Sequence, residues 1–201
     1  MEETLKYFRG KKMILQHLAL QGYDTSAQES FAHGDVHNML LNGTLDMMLT
    51  RDKDNKRAAV KFHQGAMKWS LLKNYVDMFE ADEMTTKDDM IIIIKGEPNE
   101  MVLHNLKKIW EDKHYFFIIM NLDRLQFNVL EHVLVPPHTV LTDDEAKAVK
   151  LHLNVANDAQ LPEIKRFSHV AQVIGLRPGQ LCHIVRQSKT EIKEDFYRIC
   201  C

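Results

Sequence analysis

Residues 90–99 read Met90-Ile91-Ile92-Ile93-Ile94-Lys95-Gly96-Glu97-Pro98-Asn99. Consecutive β-branched residues are stiff at χ1 and fit an extended chain, and a run without polar alternation has no face to show to water. It predicts an interior strand of a sheet covered on both faces, so helices must lie on each side. Gly96 and Pro98 end the run. Asn99 then suits an N-cap, and Val102, Leu103, Leu106 and Ile109 recur at helical spacing as far as Trp110. Tyr115 to Met120 is another apolar run of strand length. Strand, turn, helix and strand follow one another directly.

Upstream, Leu45 to Thr50 and Ala58 to His63 flank Arg51 to Arg57, whose Asp, Lys and Asn content suits the turn of an antiparallel hairpin. Ala66 to Phe79 returns to helical spacing through Met67, Leu71, Leu72, Tyr75 and Phe79, a helix expected to cover the sheet. Thr4 to Leu20 places Leu5, Phe8, Ile14, Leu15 and Leu18 near one side of a helix that Gly10 weakens and Gly22 closes. Thr25 to Leu41, interrupted at His33 and Gly34, suggests one or two short helices. Downstream, Phe127 to Leu134 reads as a strand, and Pro136 and Pro137 halt any ladder by removing backbone donors. The boundary is placed there, giving domains 1–134 and 135–201.

The second part opens with Thr142-Asp143-Asp144-Glu145, where the Thr hydroxyl and Glu carboxylate can satisfy each other's orphan amides at a helix start. A loop is expected over Asn154 to Gln160. Ser168 is expected to cap His169 to Ile174, and Gly175 to end that helix with positive φ. Arg177 to Gln180, with Pro178 second and Gly179 third, suits a type II turn. Gln180 to Arg186 and Phe196 to Cys200 read as strands. The fold class is therefore α+β: an N-terminal mixed sheet flanked by helices, then a small C-terminal α+β domain with a short sheet.

Composition narrows the function classes. The 201 residues are 45% apolar and 27% charged, with a formal net charge of -2. A chain of this size buries roughly 70% of the surface its unfolded form exposes, enough for one sizeable core or two small ones without disulfides or a structural metal. Disordered and fibrous classes are excluded. The chain lacks the excess of Lys and Arg that drives independent attachment to nucleic acid or anionic lipid. Its longest apolar runs fall well short of the roughly 20 residues that cross a bilayer. The opening Met1-Glu2-Glu3-Thr4-Leu5-Lys6 lacks the pattern of a secretory signal. Cys182, Cys200 and Cys201 cannot all pair internally, and a reduced, intracellular setting is expected.

Possible chemistry is sparse. His33-Gly34-Asp35-Val36-His37 has ligand-capable side chains, but Gly34 undermines the helix that would align them, and no metal is expected. Cys182 and His183 alternate across a strand and so point to opposite faces; Cys182 is expected in the core. Glu111-Asp112-Lys113 has the Glu-x-Lys spacing of some metal-dependent nucleases, whose chemistry needs these groups on adjoining strands around Mg²⁺. Here the triplet falls at a helix end. A divergent metal-dependent nuclease using the N-terminal domain is the alternative function. Neither a Gly-rich phosphate loop nor a Gly-x-Ser-x-Gly elbow is present, and no cofactor is expected. Arg186 and Arg198, on the two final strands, could form bidentate contacts with acidic partner groups or phosphate.

The C-terminal third resembles a known family. Glu131-His132-Val133-Leu134-Val135-Pro136-Pro137-His138, Leu161-Pro162-Glu163-Ile164, Val170-Ala171 and Gly175-Leu176-Arg177-Pro178-Gly179-Gln180 look like its E-H-x-L-V-P-x-H, L-P-x-I, D-P-V-A-R-Y-x-G and G-L-K-R-G-Q segments, in the same order. The family is the fifth, shared subunit of eukaryotic nuclear RNA polymerases, whose C-terminal part corresponds to a small subunit of the archaeal RNA polymerase. The resemblance covers about Phe127 to Cys201. It implies a non-catalytic subunit of a multisubunit DNA-dependent RNA polymerase, with an N-terminal jaw domain near downstream duplex DNA and a C-terminal assembly domain docked on the largest subunit. Other polymerase subunits would be its neighbours and no membrane would be involved. Partner-docking or supporting positions would include Leu161, Pro162, Val170, Gly175, Leu176, Gly179, Gln180, Arg186 and Arg198. Pro98 and Asn99 would be proximal to DNA, although Glu97 and Glu100 put carboxylates where the family has a Thr-Pro-Ser-Ala loop. Further departures are Ser168-His169 for Asp-Pro, Gln172 for Arg, Val173 for Tyr, and Gln187-Ser188-Lys189-Thr190 for Pro-Ser-Glu-Thr. The location would be the nucleus for a cellular polymerase, or a cytoplasmic factory or virion for a virus-encoded one.

Overall fold

The isoleucine run is β3, Asp89–Ile94, and each of its residues is buried. It comes from a computed structural model that describes residues 2–65, 67–81, 83–188 and 191–201. β3 lies between β2 (Lys56–Phe62) and β4 (Phe116–Asn121), parallel to both, in a sheet ordered β1-β2-β3-β4. β1 (Met47–Arg51) pairs antiparallel with β2, the hairpin expected from the sequence. Parallel neighbours need crossovers. α3 (Trp69–Glu80) and α4 (Glu100–Lys113) supply them. Ala66, the expected first residue of the helix before β3, lies outside the described residues.

The register explains why the run carries no polar alternation. Phe62 aligns with Ile93 and Met120, whereas Phe117 aligns with Met90 and Ala59, so Phe62 and Phe117 face opposite sides. Tyr7 of α1 (Glu2–Leu20) meets Phe62 with ring centroids 6.2 Å apart, and Phe79 of α3 meets Phe117 at 5.4 Å. Both faces are covered, as parallel strands require.

α1 differs from expectation in its inward face. Thr4, Tyr7, Gly10, Lys11, Ile14, Leu15, His17 and Leu18 are buried, while Leu5 is exposed and Phe8 only half-buried. Gly10 is the reason. A Cβ there would sit 2.6 Å from Leu122 Cδ1, so its absence lets the 3-10 turn Leu122–Gln126 close onto the helix and centres the contact on Tyr7, Gly10 and Ile14. The segment expected to hold one or two short helices forms a 3-10 turn, Ser26–Gln28, and α2, His33–Asn42. α2 starts at His33 rather than breaking there, because Asp35 accepts from Ala32 N at 2.6 Å.

The contacts divide the chain into two compact units, Met1–Phe127 and Asn128–Cys201. The expected strand over Phe127 to Leu134 does not form. Asn128 Oδ1 instead accepts from Leu130 N at 3.1 Å, and Val129–Glu131 makes a 3-10 turn. A local Asn side-chain bond wins over β-prone composition here. That turn packs with the later helix His169–Val173, and the boundary drawn between 134 and 135 lies inside the second unit.

The second unit is a sheet ordered β5-β7-β8-β6, comprising β5 (His138–Val140), β6 (Glu163–Ile164), β7 (Leu181–Arg186) and β8 (Glu194–Cys200). β7 and β8 are the expected pair; β5 and β6 are too short to leave a periodic signal. α5 (Asp143–His152) packs Ala146 and Val149 against Leu161, Leu181 and Ile199. On the other face α6 (His169–Val173) contributes Ala171 to a cluster with Ile164, Leu176, Cys182, Ile184 and Cys200. The architecture is α+β in both units.

Candidate docking surface

The second unit has a turn closed by local hydrogen bonds at one end of its sheet and connections with exposed apolar side chains at the other. The closed end is the Arg177–Gln180 turn. Gly179 has φ +85°, Gln180 N donates to Arg177 O at 3.1 Å, and the Gln180 side-chain oxygen accepts from Arg177 N at 2.9 Å. Gly175, at φ +65°, ends α6 as expected. Ser168 makes no capping bond with its side chain, unlike the expectation, whereas Thr142 and Glu145 form the full reciprocal cap of α5.

At the other end, Pro136 and Pro137 lead into β5, and Pro137 O accepts from Val185 N at 3.2 Å near the end of β7. The connection entering β5 and the one between β7 and β8 therefore leave the sheet at the same end. Val133 is 92% exposed and Leu134 81% in the connection that enters β5, and Ile192, in the connection between β7 and β8, is 84% exposed. Burying an aliphatic side chain is worth about 1.5–3 kcal/mol, so a surface that leaves several bare invites a partner. Val133 and Leu134 belong to the motif that marks the resemblance, although their composition reads as strand; the Val133-Leu134-Val135 run ending at Pro136-Pro137 is the signal that could have identified them.

Basic and aromatic side chains flank the α6-covered core on the same face of the sheet, where Phe196 packs against the cluster that holds Cys182 and Ile184. The register aligns His138 with Ile184 and Phe196, and Cys182 with Arg198, so His138, Arg186, Phe196 and Arg198 share a face. The Arg186 guanidinium lies 3.8 Å from the Phe196 centroid and that of Arg198 5.3 Å from it. Arg186 Nε donates to Glu194 at 3.2 Å, and Arg198 Nη1 to Glu163 O at 3.2 Å; a guanidinium carries five donors, so each has more to offer than these bonds use. His138 lies 2.6 Å from Pro136 O, so its Nδ1 carries the proton and donates; burial pulls its pKa below the usual imidazole value.

The remaining expected docking positions divide by burial. Pro162 and Gly179 are exposed, and Val170, Gly175 and Gln180 are half-buried. Leu161 and Leu176 are core residues, the first under α5 and the second under α6, so they are placed to support the surface. Apolar residues beside a turn are set inward or outward by register alone, which the sequence did not resolve here. Cys182 is buried as expected, with its thiol pushed up to about 11 by burial; Cys200 is pushed to about 12 for the same reason, so both are poor nucleophiles. Lys189 and Thr190, part of the departure after Arg186, lie outside the described residues.

In the first unit Asn99 caps α4, its Oδ1 accepting from Val102 N at 2.8 Å, and Pro98 is half-buried beside it. Glu97 is paired with Arg124 at 2.9 Å and accepts from Asn121 at 3.1 Å. Lys6 is held by Asp123 and Lys95 by Glu3. Arg124, Lys6 and Lys95 are therefore already matched by carboxylates. Glu111 and Asp112 sit in the last turn of α4, and Lys113 binds Glu80, so nuclease-type carboxylates are not gathered on adjoining strands there. His33 packs against Phe8, His37 Nδ1 faces Thr4, and Asp35 is the cap of α2. Among the described residues no group of three or more His, Cys, Asp or Glu side chains is placed to hold a metal.

Residues 127–200, almost the whole second unit, match the family model of RNA polymerase Rpb5, C-terminal domain. DNA-directed RNA polymerase subunit Rpo5 of Methanococcoides burtonii is 36% identical over 73 residues, which is 92% of that protein and 36% of this chain. The chain belongs to the Rpb5 family of RNA polymerase subunits. Rpb5-type similarity also runs through the first unit: a Dictyostelium discoideum protein named as a subunit of DNA-directed RNA polymerases I, II and III is 26% identical over 202 residues, all of both chains. A Caenorhabditis elegans protein of the same designation is 43% identical over 75 residues, 37% of this chain and 35% of that one. The sequence-based recognition of this family is thereby borne out.

Proposed function

We propose that this chain is a non-catalytic subunit of a multisubunit DNA-dependent RNA polymerase, docked on the largest subunit by its C-terminal unit. The observation that carries the reading is the match of one compact unit to nearly the full length of an archaeal polymerase subunit. A protein little longer than this unit is a polymerase subunit in that organism, so the unit holds what assembly needs. The bare apolar residues Val133, Leu134 and Ile192 are the apolar part of the contact. Arg186 and Arg198, with Pro162 and Val170, are the polar and flanking part, best met by carboxylates. Gly175, Gly179 and Gln180 hold the turn, and Leu161 and Leu176 the core behind it.

The first unit stands near downstream duplex DNA in this reading, with Pro98 and Asn99, at the start of α4, as its proximal residues. The chain's net charge of -2 and the pairing of Lys6, Lys95 and Arg124 with carboxylates disfavour duplex binding of its own, so proximity comes from assembly. The chain acts in the nucleus where the assembly is a nuclear polymerase.

Binding of purified fragments to the isolated largest subunit tests the assignment. The fragment must begin at Asn128, because β5 is an edge of the sheet. Retention of Asn128–Cys201 and loss of residues 2–127 is expected; the opposite pattern rejects the docking role.

A further inference from the structure

In the first unit α3 and α4 run side by side, joined near their C-terminal ends by the Glu80–Lys113 ion pair. Between them lies a groove of about 350 Å³. Val76 and Ile109 form an apolar floor that is almost wholly buried. Trp69, 46% exposed, stands at the other end. The docking surface described above uses none of these residues.

The rim is charged in a fixed order. Lys73 and Lys108 flank the groove toward Trp69, and Asp77 and Asp112 flank it one turn farther on. None of these four is in an ion pair among the described residues, although Lys73–Asp77 and Lys108–Asp112 have the i, i+4 spacing that allows one.

We infer that this groove docks an amphipathic helix of a partner protein, with a carboxylate over Lys73 and Lys108 and a basic side chain over Asp77 and Asp112. Two adjacent helices leave a valley that the side-chain ridge of a third helix fills, burying apolar anchors against Val76, Ile109 and Trp69. An extended peptide gains no ladder here, because the backbone groups of α3 and α4 are satisfied within the helices. Nucleic acid and anionic lipid are disfavoured by the two rim aspartates. From Trp69 to Glu80 the groove is about 17 Å long, the length of roughly three helical turns.

The test uses the full chain as Trp110→Phe, which leaves Trp69 as the only fluorophore of its kind, and synthetic helices of about 15 residues, long enough to hold some helix in water. One peptide carries a leucine stripe with Glu at one end and Lys at the other; a control carries Lys at both ends. The first should shift Trp69 emission to the blue with saturation, and the control should bind about tenfold more weakly. A Lys73→Glu, Lys108→Glu variant, altered only at exposed positions, should reverse that preference. The inference is overturned by no saturable shift with either peptide, by equal affinity of the two, or by a shift that follows protein concentration alone, which would mean that a second copy fills the groove.

Discussion

Asp88 offers the sharpest test of how the first unit holds together. It is 2% exposed, and its carboxylate accepts from Arg57 N at 2.8 Å, Thr85 N at 2.8 Å, Arg57 Nη2 at 2.8 Å and Arg57 Nε at 3.2 Å, among other contacts. The residue thereby fastens the start of β3 to the neighbouring strand β2. Burial alone would push its pKa up, but these donors outweigh burial and hold it below the usual carboxylate value. In Asp88→Asn the shape is kept while one acceptor becomes a donor facing other donors. Removing one partner of a buried ion pair costs about 3–5 kcal/mol. The Arg57 side chain is 34% exposed and can turn back to water, which places the loss near the lower end, about 3 kcal/mol. Both tryptophans, Trp69 and Trp110, lie in the first unit, so their fluorescence in a urea titration reports that unit alone. With a slope of about 2 kcal/mol/M the midpoint should fall by roughly 1.5 M. Because the folded pKa is the lower one, the stabilisation is complete above the unfolded carboxyl's value of about 3.9 and disappears as pH falls through the folded value. The two unfolding curves should therefore converge in acid. An Asn variant within about 0.5 kcal/mol of the parent near neutral pH would refute the reasoning.

Other outcomes follow from close approach, backbone strain and buried charge. Gly10→Ala should destabilise the first unit by about 1 kcal/mol, since overpacking against Leu122 outweighs the helix propensity gained, and Leu122→Ala beside it should reverse the sign, read by the same titration. Gly179→Val should cost the second unit about 1–2 kcal/mol from positive φ alone, because a Cβ there meets no atom, and Gly179→Asn should cost less; an unchanged circular-dichroism midpoint would contradict the type II turn. Lys11 is buried, with Gln28 Oε1 at 3.5 Å, Met39 Sδ at 3.6 Å and the Phe31 ring at 4.8 Å, and burial lowers its pKa. The native state then binds fewer protons than the unfolded one between the two pKa values, so stability should rise with pH across that window, and Lys11→Met should remove the slope.

The parts legible in the sequence were those encoded locally. The isoleucine run, the Asn99 cap, the Thr142–Glu145 cap and the glycines at 175 and 179 each carry their reason within a few residues, and the order of motif words carried the family. What escaped reading depends on distant partners. Asp88 and Asp89 look like ordinary surface acids until the fold brings Arg57, Lys56 and Tyr23 onto them. Gly10 reads as a weak helix position until Leu122 arrives. Leu161 and Leu176 share their composition with docking residues and are separated from them only by register, while Val133 and Leu134 look buried because nothing local says that no layer covers them.

Affinity purification of the tagged full chain from its native source, beside a Val133→Asp, Leu134→Asp variant, tests the central claim most directly. The parent chain should elute in fixed ratio with the largest polymerase subunit, and the variant should elute folded but without it. A parent chain recovered free of any polymerase assembly would contradict the account.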